Sequence, residues 1–173
     1  MAQTYTSSAT SVNRSKLPAI YRKACKHFTM SSPFIMDYGC GKYIDHIHEF
    51  LKGYGKVLYP YDPYNQPESV NRHTRSFLDW ASERQYEVDV ICSNVLNVID
   101  SDHEIEVIAR NIRNIVRTTG GTAFITVYEG DRSGVGRPTG KDQYQRNEPL
   151  RNYLRFFPTG KIEHGMIVIR KEC

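Results

Sequence analysis

The segment with the clearest chemistry is an acidic residue followed by two closely spaced glycines. An apolar run, Phe34–Met36, leads into Asp37, and Gly39 and Gly41 follow before a stretch with helical spacing. Glycines at the carboxyl end of a strand let the backbone approach a ligand closely, and open α/β sheets bind their ligands at this end. The pattern therefore predicts a nucleoside site over the turn.

Neighbouring residues indicate the kind of nucleoside. A dinucleotide site expects a third glycine three residues after Gly41, where this chain has Ile44, and the charge of Asp37 would oppose a pyrophosphate. An acid suits a cationic group instead, such as the ammonium of a bound amino acid moiety. Asp62 follows Gly41 by 21 residues at the end of the next apolar run, near the roughly 20-residue spacing at which a carboxylate accepts ribose hydroxyls. Together these residues predict S-adenosylmethionine in preference to NAD.

The elements that position these residues alternate between strands and helices. Apolar runs predict strands at Phe34–Met36, Val57–Tyr61, Val88–Cys92 and Ala123–Tyr128. Helical spacing predicts helices over Pro18–Phe28, Tyr43–Leu51 and Asp102–Val116, and a Gly- and charge-rich loop (130–147), a helix near Pro149–Phe157 and a last strand Lys161–Arg170 follow. Apolar strands alternating with amphipathic helices predict a doubly wound α/β domain, with a mostly parallel sheet and helices on both faces.

Length and composition limit the function classes. The 173 residues carry a net charge of +4, which tolerates an anionic partner without demanding one. We expect a mobile polar tail over 1–15 and a single domain over 16–173. No run approaches the roughly 20 apolar residues that span a bilayer, and the polar start lacks a secretory signal, so we expect a cytoplasmic protein without a membrane partner. The four cysteines lie far apart and the histidines form no ligand pair, so no metal is expected.

Four motifs carry a resemblance to a known family. They are DYGCGK at 37–42, YDPY at 61–64, SNVLNVI at 93–99 and a late stretch with Gly136, Thr139 and Gln143. With them the chain resembles class I S-adenosylmethionine-dependent methyltransferases, and more narrowly the methyltransferases associated with DNA phosphorothioation systems and their phage-borne relatives. The likeness covers about residues 31–170. Tyr43 departs from it, because the usual turn continues there to a third glycine.

The resemblance implies roles for the residues around the glycine turn. Gly39, Cys40 and Gly41 would line the methionine portion of the cofactor, and Asp37 would reach its ammonium directly or through water. Asp62 would take the ribose. The resemblance thus implies a Rossmann-like methyltransferase fold.

The resemblance also implies residues for the adenine and for the methyl acceptor. Pro63 or Tyr64 would lie against the adenine. Asp79 with Trp80 would form the adenine-edge loop after the family's third strand, although a sole Trp is equally often a core residue. The remaining candidates are Ser93 and Asn94 where donor and acceptor meet, and Gln143, Tyr144 and Gln145 for acceptor recognition.

Two kinds of base methylation are disfavoured by the residues around the end of the third predicted strand. Enzymes that methylate base amino groups commonly carry an Asp/Asn-Pro-Pro-aromatic element where this chain has Ser93–Leu96. Methylation of a cytosine carbon needs a nucleophilic Cys, usually after Pro, whereas Cys92 has no preceding Pro and is expected to be a small core residue. The basic loop 130–147 either tracks a phosphate backbone or forms a solvated lid. We expect a methyltransferase acting on nucleic acid or a nucleotide-like molecule, with no catalytic side chain assigned. The alternatives are a cofactor-cleaving enzyme of a mobile element and an inactive S-adenosylmethionine-binding module.

Overall fold

The strands and helices follow the predicted alternation. The structure, a computed structural model, describes residues 15–28, 32–140 and 142–171, so nearly all of the expected tail lies outside the described residues. The α-helices are α1 (Ala19–His27), α2 (Asp45–Lys52), α3 (Glu68–Glu83) and α4 (Asp102–Thr119). The strands are β1 (Phe34–Tyr38), β2 (Val57–Tyr61), β3 (Val88–Ser93), β4 (Thr122–Thr126), β5 (Arg137–Gly140), β6 (Gln143–Gln145), β7 (Lys161–Glu163) and β8 (Met166–Arg170). Two 3₁₀ segments cover Leu96–Val98 and Leu150–Phe156.

Six strands form one mixed sheet in the order β2-β1-β3-β4-β8-β7. Strands β2, β1, β3 and β4 run parallel to one another. Strand β8 is antiparallel to β4, and β7 is antiparallel to β8. Strands β5 and β6 pair only with each other, as a separate hairpin. The chain passes outward from β1 to β2 and then returns to β3 on the other side of β1, so the strand order reverses at β1.

Successive strand residues pack into two different apolar clusters. Met36 and Val90 lie in a cluster with Phe77 of α3 and with residues of α4. Ile35 and Ile91 lie in the other cluster, with residues of α1 and α2. Because alternate side chains of one strand are buried in different clusters, the strands read as continuous apolar runs rather than as alternating ones.

The boundaries of α4 follow from its end residues. The hydroxyl of Ser101 accepts a hydrogen bond from the Glu104 amide at 3.3 Å and caps the first turn. At the other end Gly120 adopts φ +82 and its N–H donates to the Val116 carbonyl, which is the glycine end signal that the sequence showed. The buried residues of this helix pack against the sheet in one of the two apolar clusters.

The carboxyl-terminal third differs from the prediction in two places. The predicted loop 130–147 contains the β5–β6 hairpin. The predicted single strand Lys161–Arg170 is wrong: β7 and β8 are two antiparallel strands joined at His164 and Gly165, both of which have positive φ. Two successive residues in the left-handed region of φ reverse the chain here. Of the two, only Gly165 is a residue type that indicates such a turn in the sequence.

No helix in the three described ranges has the length and apolar character needed to cross a bilayer. The helices are instead amphipathic, with one apolar stripe each. In α4, for example, Ile105, Ala109 and Ile112 are buried while Arg110 is exposed. This pattern is typical of helices that pack against a sheet.

Candidate functional site

A large cavity opens at the carboxyl ends of β1, β2 and β3. Its volume is about 950 Å³, within the roughly 300–1,000 Å³ range of small-molecule sites. It lies where the strand order reverses at β1, which is the position at which open α/β sheets bind ligands. The predicted site residues that line it are Gly39, Cys40, Gly41, Asp62, Pro63, Tyr64, Ser93, Asn94 and Gln145.

The glycine turn after β1 requires both of its glycines. Gly39 and Gly41 adopt φ +79 and +76, in the left-handed region that side chains disfavour. A Cβ on Gly39 would also lie 2.4 Å from Cγ2 of Val95, which follows β3. The turn after β1 therefore packs directly against the turn after β3, and the two together form one wall of the cavity.

The amides of the glycine turn are engaged within the protein. The N–H groups of Gly39 and Cys40 donate to the Tyr61 carbonyl at 2.7 and 3.3 Å. The Gly41 N–H donates to Oδ2 of Asp62 at 3.0 Å. A phosphate-binding turn must point such amides at its ligand, so these three amides do not form a phosphate cradle. This agrees with the sequence, which already disfavoured a dinucleotide.

Asp62 joins the turns that follow β1 and β2. Besides the Gly41 amide, its carboxylate accepts hydrogen bonds from the Tyr64 and Asn65 amides at 2.9 and 3.0 Å and from the Asn65 side-chain amide at 2.9 Å. Asp62 is buried and lies in the cavity wall. Its position matches the prediction, but its oxygens already hold the loops in place, so ribose binding by Asp62 stays a prediction.

Asp37 lies behind the cavity wall rather than in it. The residue is 2% exposed and its carboxylate accepts a hydrogen bond from the hydroxyl of Tyr21 on α1. Burial raises the pKa of Asp37 to about 7, the hydrogen bond from Tyr21 opposes the rise, and the nearby charge of Asp62 adds to it. Direct contact of Asp37 with a ligand ammonium is therefore not present in this geometry. The motif around Asp37 gave no indication of its hydrogen-bond partner Tyr21, which lies 16 residues earlier.

The two buried cysteines near the turn are neutral thiols. Burial raises the pKa of Cys40, and the charges of Asp37 and Asp62 raise it further. Burial likewise raises the pKa of Cys92, which is fully buried in the β3 core as the sequence predicted. Neither thiol is activated for nucleophilic attack. Among the described residues there is no group of three or more His, Cys, Asp or Glu side chains that could hold a metal ion.

The predicted adenine-edge loop is wrong. Asp79 and Trp80 lie inside helix α3, and neither lines the cavity. The Trp80 ring stacks on Tyr86 with centroids 5.0 Å apart, and Arg84 lies over its ring at 5.2 Å. The buried residues of this helix, Asn71, Thr74, Phe77 and Ala81, recur at spacings of three and four, but two of them are polar and gave only a weak signal in the sequence.

The end of β3 lies where the resemblance implied. Ser93 is the last residue of β3, and Asn94 follows in the left-handed region at φ +56, with its N–H donating to the Thr126 carbonyl at 2.9 Å. Both line the cavity, on the same wall as the glycine turn. Asn94 is exposed, and contact of the two residues with donor and acceptor stays a prediction.

Several cavity residues were missed by the sequence analysis. The Tyr38 hydroxyl accepts a hydrogen bond from the side-chain amide of Asn111 at 3.2 Å, and burial raises the pKa of Tyr38 to about 12, so its phenol is neutral. The Tyr38 and Tyr61 rings lie 5.2 Å apart. Asn111 is on α4, and only the apolar face of that helix carried a signal in the sequence.

Gln145 is held by hydrogen bonds within the protein, and its role in acceptor recognition stays a prediction. Its Oε1 accepts from the Asn97 side-chain amide at 3.1 Å, and its Nε2 donates to the Tyr128 carbonyl at 2.9 Å. Asn97 is buried, and its Oδ1 accepts from the Tyr128 N–H at 3.3 Å. Gln145 therefore fastens the β5–β6 hairpin to the 3₁₀ turn after β3. Its neighbours Gln143 and Tyr144 line a smaller adjoining pocket.

The basic residues of the 130–147 segment are partly structural. Arg146 is buried, contacts the carboxylates of Asp102 and Glu148, and donates to the carbonyl of Ile99 at 3.1 Å. Arg132 pairs with Glu129. Arg146 is thus unavailable to a phosphate backbone, and Lys141 lies outside the described residues.

No protein-family model matches the chain, and a search of curated proteins finds no match. The methyltransferase resemblance of the four motifs stays a prediction.

Proposed function

We propose that the protein binds S-adenosylmethionine in the large cavity and transfers its methyl group. One observation supports the proposal above all. The cavity lies where the strand order reverses, and the N–H groups of its glycine turn donate to acceptors within the protein. Such a turn can lie close to a nucleoside and yet offers nothing to a pyrophosphate. A nucleoside that carries an amino acid tail in place of phosphates fits this site better than a dinucleotide.

The finer architecture belongs to the same proposal. We describe the sheet as doubly wound, with α1 and α2 on one face and α3 and α4 on the other. The distribution of alternate strand residues between two apolar clusters supports this arrangement. The proposed enzyme is then a Rossmann-like methyltransferase that acts in the cytoplasm.

The cavity lining suits the carboxylate and the sulfonium of the cofactor. Lys16, Arg22 and Lys42 line the cavity and would face the carboxylate of the methionine portion. The Tyr38 and Tyr61 rings would face the sulfonium, since aromatic faces attract cations. The adenine would lie toward the turn after β2, where Tyr64 is 52% exposed.

The reaction requires alignment rather than an acid or base of unusual strength. A lone pair of the acceptor atom forms a bond to the methyl carbon while the carbon–sulfur bond breaks and its electron pair returns to sulfur. The positive charge passes from sulfur to the acceptor, which then loses a proton to solvent where it carries one. Holding the three atoms in line supplies much of the rate. The acceptor we propose is nucleic acid or a nucleotide-like molecule.

Cofactor binding tests the proposal first. At a concentration of S-adenosylhomocysteine equal to 100 times its Kd, the free energy of unfolding should rise by about 2.7 kcal/mol. The Tyr64→Ala variant should bind this product about tenfold more weakly, because adenine stacking is worth about 1–3 kcal/mol. Tyr54→Ala is the matched control, since Tyr54 is 56% exposed and lies outside the cavity wall. Absence of binding by the wild-type chain would overturn the proposal.

Incubation with radiolabelled S-adenosylmethionine separates transfer from its alternatives. Label that moves to added nucleic acid or nucleotides supports methyl transfer. Breakdown of the cofactor without any acceptor identifies a cofactor-cleaving enzyme instead. Tight binding with neither outcome identifies a binding module.

A further inference from the structure

A second pocket adjoins the large cavity. Its volume is about 470 Å³, and it lies between the β5–β6 hairpin, the segment that follows β4 and the 3₁₀ turn after β3. We propose that this pocket receives an unpaired base of a single-stranded nucleic acid as the methyl acceptor. The inference rests on the proposed function and names its acceptor site.

The two spaces share a wall made of three side chains. Val98, Tyr128 and Gln145 line both of them. Gln145 is fixed in this wall by its hydrogen bonds to Asn97 and Tyr128. Tyr128 is 63% exposed, so its ring can turn away without loss of core packing. Rotation of the Tyr128 ring would join the two spaces, so that an acceptor atom in the pocket could approach the methyl carbon of a donor in the cavity directly.

The lining of the pocket matches the chemistry of a nucleobase. Tyr128 and Tyr144 offer aromatic faces on which a base can stack. Thr139 and Gln143 bring a hydroxyl and an amide, side-chain types that hydrogen-bond to base edges, whereas the buried Asn147 already donates to the Val135 carbonyl at 3.0 Å. The pocket thus combines stacking surfaces with polar atoms that can distinguish one base edge from another.

The charge of the pocket favours a neutral acceptor. Arg137 and Asp131 both line it, and the pKa of Asp131 is lowered by hydrogen bonds from Ser133 and, to a smaller extent, by the charge of Arg137. With one cation beside one anion, the pocket has little net positive potential to attract a carboxylate or a free phosphate. A base is neutral at pH 7 and meets no such mismatch. A paired base would first have to be flipped out of its duplex, which costs free energy, so a base that is already unpaired is favoured.

Binding of labelled oligonucleotides tests the inference. The probes are a fluorescent 12-nucleotide single strand of mixed sequence, as DNA and as RNA, and the same sequence as a duplex, each with saturating S-adenosylhomocysteine. Fluorescence anisotropy should show at least tenfold tighter binding of a single strand than of the duplex. Tyr144→Ala should weaken single-strand binding about tenfold or more, while calorimetry shows unchanged affinity for S-adenosylhomocysteine.

Two further variants separate stacking from misfolding. A Cβ on Gly136 would lie 1.9 Å from Oη of Tyr144, so Gly136→Ala displaces the ring without removing it and should reproduce the loss. Tyr144→Phe keeps the ring and should bind like the wild type, as should the Tyr54→Ala control. Equal binding of single strand and duplex, or full single-strand binding by both Tyr144→Ala and Gly136→Ala, would overturn the acceptor assignment. Failure to bind S-adenosylhomocysteine at all would instead overturn the proposed function.

Discussion

The carboxyl group of Asp37 lies in surroundings that favour its protonated form. It is buried, it receives one hydrogen bond from Tyr21, and it feels the charge of Asp62. Desolvation outweighs the hydrogen bond, so the pKa of Asp37 rises from 3.8 to about 7. The folded protein therefore keeps this proton to near neutral pH, whereas the unfolded chain loses it near pH 4. Folding stability from this group is largest below pH 4 and declines as the pH rises to 7.

Asp37→Asn should remove that decline. The amide keeps an acceptor for Tyr21 and cannot ionise, so the variant should match the wild type near pH 4 and exceed its free energy of unfolding at pH 8. The excess should be a few kcal/mol at most, because each pKa unit corresponds to about 1.4 kcal/mol. Urea unfolding between pH 4 and 8 measures it. Parallel curves for the two proteins would contradict the shift, and Asp79→Asn, on the exposed side of α3, is the control.

At the scale of elements, three connections after the strands build the site. The turn after β1 packs on Val95 after β3, Asp62 joins the turns after β1 and β2, and Gln145 fastens the hairpin to Asn97. The strands supply the scaffold, and these side chains set the distances between the loops. Loss of one connection should loosen a loop without unfolding the sheet.

Asp62→Ala should show this separation between loop and sheet. Three backbone N–H groups, those of Gly41, Tyr64 and Asn65, lose their acceptor. The free energy of unfolding should fall by about 1–3 kcal/mol, since an unsatisfied buried donor costs about that much. Hydrogen exchange should accelerate at these amides while β3 stays protected, and affinity for S-adenosylhomocysteine should fall. Unchanged exchange at the three amides would contradict the role of Asp62, and Asp79→Ala is the control.

The sequence predicts elements well where one periodic signal decides them. The strands β1 to β4 follow from their apolar runs, and the end of α4 follows from Gly120. Long-range partners are a different matter. The bond from Tyr21 to Asp37 joins residues 16 apart, and the bond from Asn97 to Gln145 joins residues 48 apart. Such contacts depend on how helices dock on the sheet, so no local pattern could announce them.

The same distinction applies at the site. The resemblance implied a loop at Asp79 and Trp80, and the structure has a helix there whose buried residues recur at spacings of three and four. The resemblance also implied acceptor recognition by Gln145, which stays a prediction. Both the oxygen and the nitrogen of its side-chain amide form hydrogen bonds within the protein. Residue type alone does not show whether a polar group is already satisfied.

At the scale of the whole molecule, the sheet must avoid pairing with other chains at its edges. β7, at one edge, has three residues. β2, at the other edge, contains Pro60, and in the described part of the chain no strand lies on its outer side. The Tyr61 carbonyl faces β1, so the adjacent Pro60 faces outward, and its carbonyl accepts from the Thr74 hydroxyl of α3 at 2.7 Å. Short strands and an outward proline are devices that blunt a sheet edge.

Pro60→Val should weaken this protection. Valine restores an outward N–H and favours extended structure, so association should become concentration-dependent while the monomer keeps its fold. Analytical ultracentrifugation across a range of protein concentrations measures it. Pro158→Val is the control, because Pro158 lies in an exposed turn outside the strands. If the Pro60→Val variant shows no association, Pro60 does not protect the β2 edge, and the packing of α3 on that strand would be what protects it.

The wall common to the two spaces links whatever occupies them. Val98, Tyr128 and Gln145 cannot shift toward one space without shifting away from the other. If the first ligand changes the affinity for the second by some factor, the second must change the affinity for the first by the same factor. Any coupling between donor and acceptor through these three side chains would thus be equal in both directions. The order in which they arrive can alter the kinetics, but never the stability of the ternary complex.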